Sequence, residues 1–195
     1  MSDRRLSALL RAIRACRVCA AHLPLGPRPV LRAKGSARLL IVGQAPGTKV
    51  HESGIPWNDR SGDRLRDWLQ LDRDTFYDES RIAIVPMGFC YPGVDAHGGD
   101  LPPRKECAPL WHARVLALMP RLELILLVGG HAQKYYLGSR RAASMTETVQ
   151  AWREHASRFV PLPHPSWRNT AWLKRNPWFE KQLLPELRAR VRVLL

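Results

Sequence analysis

The sequence predicts an α/β protein, a three-layer α/β/α sandwich around a central parallel sheet of four strands. Two observations predict it: short apolar runs recur along the chain, and segments with helical periodicity separate them. Because strands joined through helices run parallel with right-handed crossovers, helices should cover both faces of the sheet. No internal repeat and no linker divides the 195 residues, so we expect one domain over residues 1–195.

Four apolar runs supply the strands. Each is rich in branched aliphatic side chains, as strands buried on both faces are. They are RLLIVG at 38–43, RIAIVP at 81–86, LELILLV at 122–128 and RFVPL at 158–162. LELILLV is the most apolar of the four, and RFVPL is the shortest.

Periodicity and capping residues predict the helices. An amphipathic helix occupies residues 4–15, and a long loop after the first strand runs through Asn58. Asp59 or Ser61 can cap the helix that follows it. The further helical segments are 63–69, 106–118, 129–136, 145–155 and 177–195, the last with Pro185 as a candidate kink.

The charge of the chain is strongly positive. Lys and Arg number 31 against 17 Asp and Glu, which gives a net charge of +14. Such a field suits a polyanion such as nucleic acid, although arginine overuse in a GC-rich genome is an alternative explanation. No run of 18 apolar residues is present, and the N-terminus lacks the uninterrupted apolar region of a secretory signal. We therefore expect a cytoplasmic protein with no membrane partner.

The four cysteines need an explanation other than disulfides, which a reducing cytosol disfavours. Cys16 and Cys19 form a C-x2-C pair, and Cys90 and Cys107 follow much later. Four thiolates can close a tetrahedral zinc site or hold a [4Fe–4S] cluster, and the spacing does not separate the two. Four unrelated core thiols are the third alternative.

Four loops should meet at one edge of the sheet, where open α/β sheets place their ligands. They are GQAPG at 43–47, PMGFCYPG at 86–93, GGHAQ at 129–133 and PHPSWRN at 163–169. Gly and Pro at such close spacing force a sharp turn at GQAPG. Pro165 ends the fourth strand and holds His164 at the lip of this edge, which makes His164 a functional candidate rather than only a structural histidine.

The order GQAPG, GIPW, cysteines and HPS resembles the uracil-DNA glycosylase superfamily, and most of all its iron–sulfur members, called family 4, and related bacterial proteins. The resemblance extends from Cys16 to Ser166. It implies a glycosylase that excises uracil, and other deaminated bases, from DNA by hydrolysing the N-glycosidic bond in base excision repair. The implied partner is DNA containing such a base, bound by a monomer. The implied cofactor is a [4Fe–4S] cluster on the four cysteines, with zinc as the alternative.

The resemblance also implies roles for single residues. His164 matches the histidine beside O2 of the base, where it would stabilise the leaving uracil anion. Trp57 stands where an aromatic ring stacks on the extruded base, and a plain core aromatic is its alternative reading. Gln44 can orient the attacking water through its amide oxygen. The other residues of the GQAPG turn implied to bind the base are Gly43, Ala45, Pro46 and Gly47.

The sequence departs from the family at the group that activates water. The best-known enzymes have an Asp in this turn, and family 4 has a Glu one position earlier. This chain has only Gln44 and Ala45 there. Asp59 and Asp63 are the alternative carboxylates that could activate the water, although both could equally be helix-capping residues or solvated surface charges.

A second departure concerns recognition of the base. Alignment on Cys90 puts Pro86 where family 4 has an Asn that reads the base. Recognition should then pass to backbone groups near Met87 and Gly88, or to the side chains of His51 or Asn58. The Tyr that blocks thymine in the best-known enzymes falls on Gly47, as it does in family 4, so the range of excised bases stays open.

DNA contacts are expected along the same edge. The segment 167–173, after HPS, takes the place where relatives insert an apolar wedge. Suitable DNA contacts are Ser61, Gly62, Ser166, Trp167 and Arg168, with Lys174 and Arg175 as phosphate partners. The basic residues among them could equally be solvated surface charges.

Two further functions compete with a glycosylase. The missing carboxylate motivates a protein of the same fold that binds damaged or single-stranded DNA without cutting it. A zinc-stabilised module that interacts with nucleic acid is the weaker alternative.

Overall fold

The computed structural model describes residues 2–195 and contains a four-stranded, all-parallel sheet. Its strands are β1 (Leu39–Val42), β2 (Ile82–Ile84), β3 (Leu124–Val128) and β4 (Phe159–Leu162), in the order β2-β1-β3-β4. The predicted three-layer α/β/α sandwich is confirmed. Among residues 2–195, no helix is long and apolar enough to cross a membrane.

Alternate residues along each strand enter two separate hydrophobic cores, one on each face of the sheet. Leu39 and Ile41 belong to the first core, and Leu40 and Val42 to the second. The first core is covered by α3 (Arg60–Leu69), α4 (Arg73–Tyr77), α7 (Met145–Gln150), α8 (Trp152–His155), α9 (Thr170–Arg175) and α10 (Leu184–Leu194). The second is covered by α1 (Ser2–Arg14), α5 (Cys107–Leu116) and α6 (Gly130–Leu137).

Several helices differ from the sequence prediction. The expected loop before Asn58 contains α2 (Thr48–Ser53), and α4 was not predicted. Both are short, so neither shows enough periodicity to be recognised. The predicted helix 145–155 is divided at Ala151 into α7 and α8. Near the C-terminus a π-helical turn, Phe179–Leu183, precedes α10, and Pro185 lies in the first turn of α10, where its missing N–H leaves no bond unmade.

The outer edge of β2 is closed by an extended segment. The Arg32 N–H donates to the Ile84 carbonyl at 2.9 Å, and the Ile84 N–H donates to the Arg32 carbonyl at 2.7 Å. The Val30 N–H donates to the Phe89 carbonyl at 2.7 Å. The segment therefore protects the edge from pairing with another chain and fixes the loop that follows β2.

Candidate active site

An open cavity lies at the carboxyl edge of the sheet. It is beside β1, which has β2 on one side and β3 on the other, so the cavity occupies the point where the strand order reverses. The whole GQAPG turn lines it. The other lining residues are Val30, Val50, Pro56, Trp57, Asp59, Ser61, Ile84, Pro86, Asp100 and His164.

Trp57 is fixed in the wall of this cavity by two close glycines. A Cβ on Gly43 would lie 2.6 Å from Cζ2 of the indole, and a Cβ on Gly62 would lie 1.7 Å from the Trp57 carbonyl oxygen. That oxygen accepts a hydrogen bond from Nη1 of Arg66 at 3.3 Å. Trp57 has the left-handed φ of 57°, a conformation that costs a non-glycine residue about 1–3 kcal/mol. It is only 9% exposed and joins the first core, so the ring both packs in the core and lines the cavity.

The imidazole of His164 lies beside this indole. The two ring centroids are 5.6 Å apart, and the ring planes are inclined by 34°. Asn169 donates from Nδ2 to the His164 carbonyl at 2.7 Å and so fixes the backbone after β4. Burial lowers the pKa of His164 below its ordinary value, and the carboxylates of Asp59 and Asp100 only partly oppose this. The imidazole is therefore neutral at pH 7 and carries one N–H.

The GQAPG turn is joined to the loop after β2. The N–H groups of Met87 and Gly88 donate to the carbonyls of Gly43 and Gln44, each at 2.9 Å. Neither Met87 nor Gly88 lines the cavity, whereas Pro86 does. The two N–H groups that were expected to read the base are thus engaged in holding the turn.

Three further candidates lie outside the cavity lining: two for recognition of the nucleobase, and one for accepting the proton of the water. His51 is buried near Tyr91. Asn58 accepts a hydrogen bond from Arg73 through Oδ1 at 2.8 Å. Asp63 forms an ion pair with Arg66 at 2.5 Å, and its side chain is 72% exposed.

Two carboxylates do reach the cavity. Asp59 caps α3, because its Oδ1 accepts the Gly62 N–H at 2.8 Å. Asp100 lines the cavity from the loop between β2 and α5. Sequence reasoning missed Asp100, since it lies in a stretch rich in Gly and Pro whose path the local sequence does not define.

Pro86 is held in place by a buried histidine. Nε2 of His112 donates to the Pro86 carbonyl at 2.9 Å, and Nδ1 accepts from the Tyr136 hydroxyl at 2.7 Å. A carbonyl can only accept, so the proton is assigned to Nε2. The ring stacks on Phe89 with 5.8 Å between centroids and 7° between planes. Burial lowers the pKa of His112 to about 4.

The segment after His164 projects from the lip of the cavity. Trp167 is 72% exposed, and the guanidinium of Arg168 lies 5.7 Å from its ring centroid. Oγ of Ser166 accepts the Arg168 N–H at 3.1 Å, which starts the short helical turn Trp167–Asn169. Lys174 and Arg175 are exposed on α9.

The two other predicted DNA contacts are placed differently from each other. Ser61 lines the cavity. Gly62 is buried under the Trp57 carbonyl, and its N–H donates to Asp59. The structure therefore gives Gly62 a packing role and leaves no N–H there for a phosphate.

All four cysteines line a second cavity, formed by the segment after α1, the start of α5 and the loop after β2. Burial raises the pKa of Cys90 to about 11 and that of Cys107 to about 12, and the other cysteines add to both shifts. Across residues 2–195, no three His, Cys, Asp or Glu side chains are arranged to hold a metal ion. A tetrahedral zinc ion needs sulfurs about 2.3 Å from one centre, whereas a cluster binds each sulfur to a different iron. The structure therefore brings to one cavity the four thiols that either group requires.

Comparison with known families places the chain in a class of DNA-acting enzymes. The uracil DNA glycosylase superfamily matches residues 31–188, well over half of the chain. The chain belongs to this superfamily, whose members are DNA repair hydrolases that release bases from DNA. The matched range includes Cys90 and Cys107 but neither Cys16 nor Cys19, so it shows the superfamily and not the iron–sulfur type.

The first prediction concerns the glycine under Trp57. Gly43→Ala should lower the free energy of unfolding by about 1–3 kcal/mol, because the new methyl group forces the indole to move. Gly130→Ala is the matched control, since a Cβ there meets nothing within 4 Å and the residue begins α6. Urea denaturation of both variants makes the comparison. Equal stabilities would contradict the close contact between Gly43 and Trp57.

The second prediction concerns His112 and pH. The unfolded histidine takes up a proton near pH 6.5, whereas the folded one stays neutral to about pH 4. Acidification therefore destabilises the fold through His112, by roughly 3 kcal/mol at pH 4. His112→Phe should be less stable at pH 7.5, because the Pro86 carbonyl loses its donor, but should lose less stability on acidification.

Urea denaturation at pH 7.5 and pH 4.5 measures this difference. The difference in the free energy of unfolding between wild type and His112→Phe should be about 2–3 kcal/mol smaller at pH 4.5 than at pH 7.5. Tyr136→Phe is the control, because it removes the other hydrogen bond of the ring and keeps the titrating group. A gap that is the same at both pH values would show that His112 titrates normally.

Proposed function

We propose that this protein is a monofunctional DNA glycosylase that excises uracil by hydrolysis of the N-glycosidic bond, in base excision repair. One observation carries the proposal: a single cavity brings together the Trp57 ring, the neutral His164 imidazole and the GQAPG turn. A base taken out of the duplex needs an apolar plane to replace its lost stacking. The same base needs hydrogen-bond donors when it leaves as an anion.

His164 stabilises the leaving group. Breaking the bond gives a sugar with oxocarbenium character and a uracil anion whose charge is spread over N1 and the two carbonyl oxygens, O2 and O4. The single N–H of a neutral imidazole donates to that charge without protonating it. One such donor contributes about 3–4 kcal/mol to the rate in related oxyanion sites. Main-chain N–H groups of the turn at 43–47 are the additional donors.

Gln44 orients the attacking water. Its Nε2 donates to the Leu101 carbonyl at 3.4 Å, which leaves the amide oxygen free to accept a hydrogen bond from water. An amide cannot take up the proton that the water releases. The turn therefore positions the water, and a carboxylate from another element must complete the step.

The range of excised bases extends beyond uracil. Pro86 offers no polar side-chain atom, and the N–H groups of Met87 and Gly88 are engaged by the turn. Gly47 leaves space where a tyrosine blocks larger pyrimidines. Uracil is the best substrate, and at least one other lesion, such as hypoxanthine or xanthine, is also released. Cytosine would be rejected by any backbone carbonyl that accepts the N3–H of uracil, because N3 of cytosine carries no proton.

The four cysteines hold a [4Fe–4S] cluster, with zinc as the alternative metal. When bound, the cluster would cross-link the segment that follows α1, the loop after β2 and the first residue of α5. This assignment rests on the four thiols that line one cavity.

DNA binds along the lip of the active-site cavity, to a monomer. The net charge of +14 attracts the phosphates, and Arg168, Lys174 and Arg175 neutralise them. Trp167 projects far enough into solvent to fill the gap that the flipped nucleotide leaves.

One observation favours a second candidate function. The GQAPG turn carries no carboxylate, so a protein of this fold could bind damaged or single-stranded DNA without cutting it. This alternative and a glycosylase differ in whether abasic sites are formed.

The third prediction tests excision and His164 together. Labelled duplex and single-stranded oligonucleotides with uracil, hypoxanthine, xanthine or a normal base are incubated with protein and treated with alkali, which breaks abasic sites. Wild type should release uracil fastest. His164→Ala should bind the same DNA with unchanged affinity but cut it about 10²–10³-fold more slowly, because one donor is lost. His22→Ala, an exposed histidine, is the control.

Two results would contradict this interpretation. Wild type that binds the DNA and releases none of the bases would establish the binding protein instead of the glycosylase. His164→Ala that cuts within threefold of wild type would remove His164 from the mechanism.

The fourth prediction concerns the metal. Purified wild type should contain about four iron atoms per chain and absorb near 400 nm, as clusters with four cysteine ligands do. Changing any one of the four cysteines to alanine should remove the metal and lower the melting temperature. Zinc with no absorbance near 400 nm would identify the alternative metal. If the purified protein contains neither metal and the four alanine variants differ from one another in melting temperature, the cysteines are four unrelated core thiols.

A further inference from the structure

A hairpin formed by residues 93–101 carries a carboxylate to the active-site cavity. Val94 and Asp100 pair across it as antiparallel partners. The carboxylate of Asp95 accepts two backbone N–H groups of its turn, each at 2.8 Å. The conformation of the hairpin is therefore fixed by its own hydrogen bonds, although it contains few apolar residues.

The hairpin is also attached to two elements of the proposed active site. Gln44 donates from Nε2 to the Leu101 carbonyl at 3.4 Å. Arg168 donates from Nη2 to the Gly98 carbonyl at 3.2 Å. One bond comes from the turn after β1 and the other from the segment after β4, so the hairpin is attached to both elements.

These contacts place Asp100 in the lining of the cavity. Its Oδ1 lies 4.0 Å from the point that a Cβ on Gly47 would occupy, which puts the carboxylate beside the GQAPG turn. Its charge also reaches His164, whose pKa it helps to raise against the effect of burial. Asp100 and His164 therefore face the same cavity from different elements.

We propose that Asp100 is the catalytic residue that deprotonates the attacking water, an inference that rests on the proposed glycosylase function. The bond between C1′ of the sugar and the base nitrogen breaks, and its electron pair leaves with the base, whose charge His164 stabilises. The water oxygen forms a bond to C1′, and the proton that the water loses goes to the Asp100 carboxylate. The products are the abasic sugar and the base, which leaves as its anion, and the proton held by Asp100 then passes to that anion or to solvent. The negative charge of Asp100 also stabilises the cationic sugar before the water attacks.

Asp100 suits this role better than the other carboxylate of the cavity. Oδ1 of Asp59 is committed to the Gly62 N–H at the start of α3, and its removal would weaken the helix that packs on Trp57. Asp100 lies in a hairpin, where it caps no helix. A negative charge beside bound phosphates also weakens DNA binding, so Asp100 does not favour affinity. A role in the attack of water on C1′ of the sugar therefore accounts for the position of Asp100 better than a role in DNA affinity does.

The test measures single-turnover cleavage and DNA affinity separately, on an oligonucleotide whose base wild type releases. Asp100→Asn keeps the shape of the side chain but removes the carboxylate that accepts the proton of the water. The rate of cleavage should therefore fall about 10²–10⁴-fold. The dissociation constant for DNA should stay equal or decrease, because a repulsive charge is gone. Asp100→Glu should recover part of the rate. Asp74→Asn, an exposed carboxylate on α4, and His97→Ala, in the same hairpin, should match wild type.

Each outcome separates this inference from the proposed function. An active wild type with Asp100→Asn within threefold of it overturns the role of Asp100 and leaves the glycosylase standing. A rate that falls only together with DNA affinity or melting temperature shows a structural residue and also overturns the role. If Asp59→Asn loses cleavage and Asp100→Asn does not, Asp59 is the residue that deprotonates the water, and the role of Asp100 is overturned. A wild type that releases no base overturns the proposed function, and the inference fails with it.

Discussion

The contact of Trp57 with two glycines is the constraint on which the rest of the site depends. Gly43 directly follows β1 and Gly62 lies in the first turn of α3, and at both positions a methyl group would occupy the space that Trp57 fills. Trp57 therefore fixes the distance between the sheet edge and α3, through its indole at Gly43 and its backbone at Gly62. Its left-handed backbone is unfavourable in isolation and persists because the hydrogen bond from Arg66 and the packing of α3 over-determine it. The result is a rigid aromatic wall opposite His164.

The electrostatics of the cavity follow from this packing. A histidine enclosed by the indole and the strand ends loses solvation, and burial has a larger effect on its pKa than the two nearby carboxylates. The site thus keeps a neutral donor next to negative charges, inside a protein that is strongly positive overall. Such separation suits a reaction in which an anion leaves on one side of a bond and a cation forms on the other.

Sequence reasoning was most successful where a signal is local and repeated. The four apolar runs locate the strands because a parallel sheet buried on both faces excludes polar residues from every position, as in Leu124–Val128. It failed where geometry depends on distant segments. Nothing near Gly62 indicates that a carbonyl will lie against it, and nothing near Met87 shows that its N–H will be used by Gly43. Asp100 was missed for the same reason, since its position is set by Gln44 and Arg168, far away in the sequence.

The active-site cavity and the cysteine cavity have walls formed by the same segments of the chain. Pro86 lines the active-site cavity, and Phe89 and Cys90, three and four residues later, line the cysteine cavity. The segment before β1 also lines both cavities. Val30 lines the active-site cavity, and Pro27 and Pro29 line the cysteine cavity. The hydrogen bond from Val30 to Phe89 ties these two segments together, and His112 braces the first of them by donating to Pro86 while stacking on Phe89. Because protein interiors are close-packed, a shift in the loop that carries Cys90 must also move the wall at Pro86. The segments that carry the cysteines thus also form the wall of the candidate active site, although no cysteine lines it.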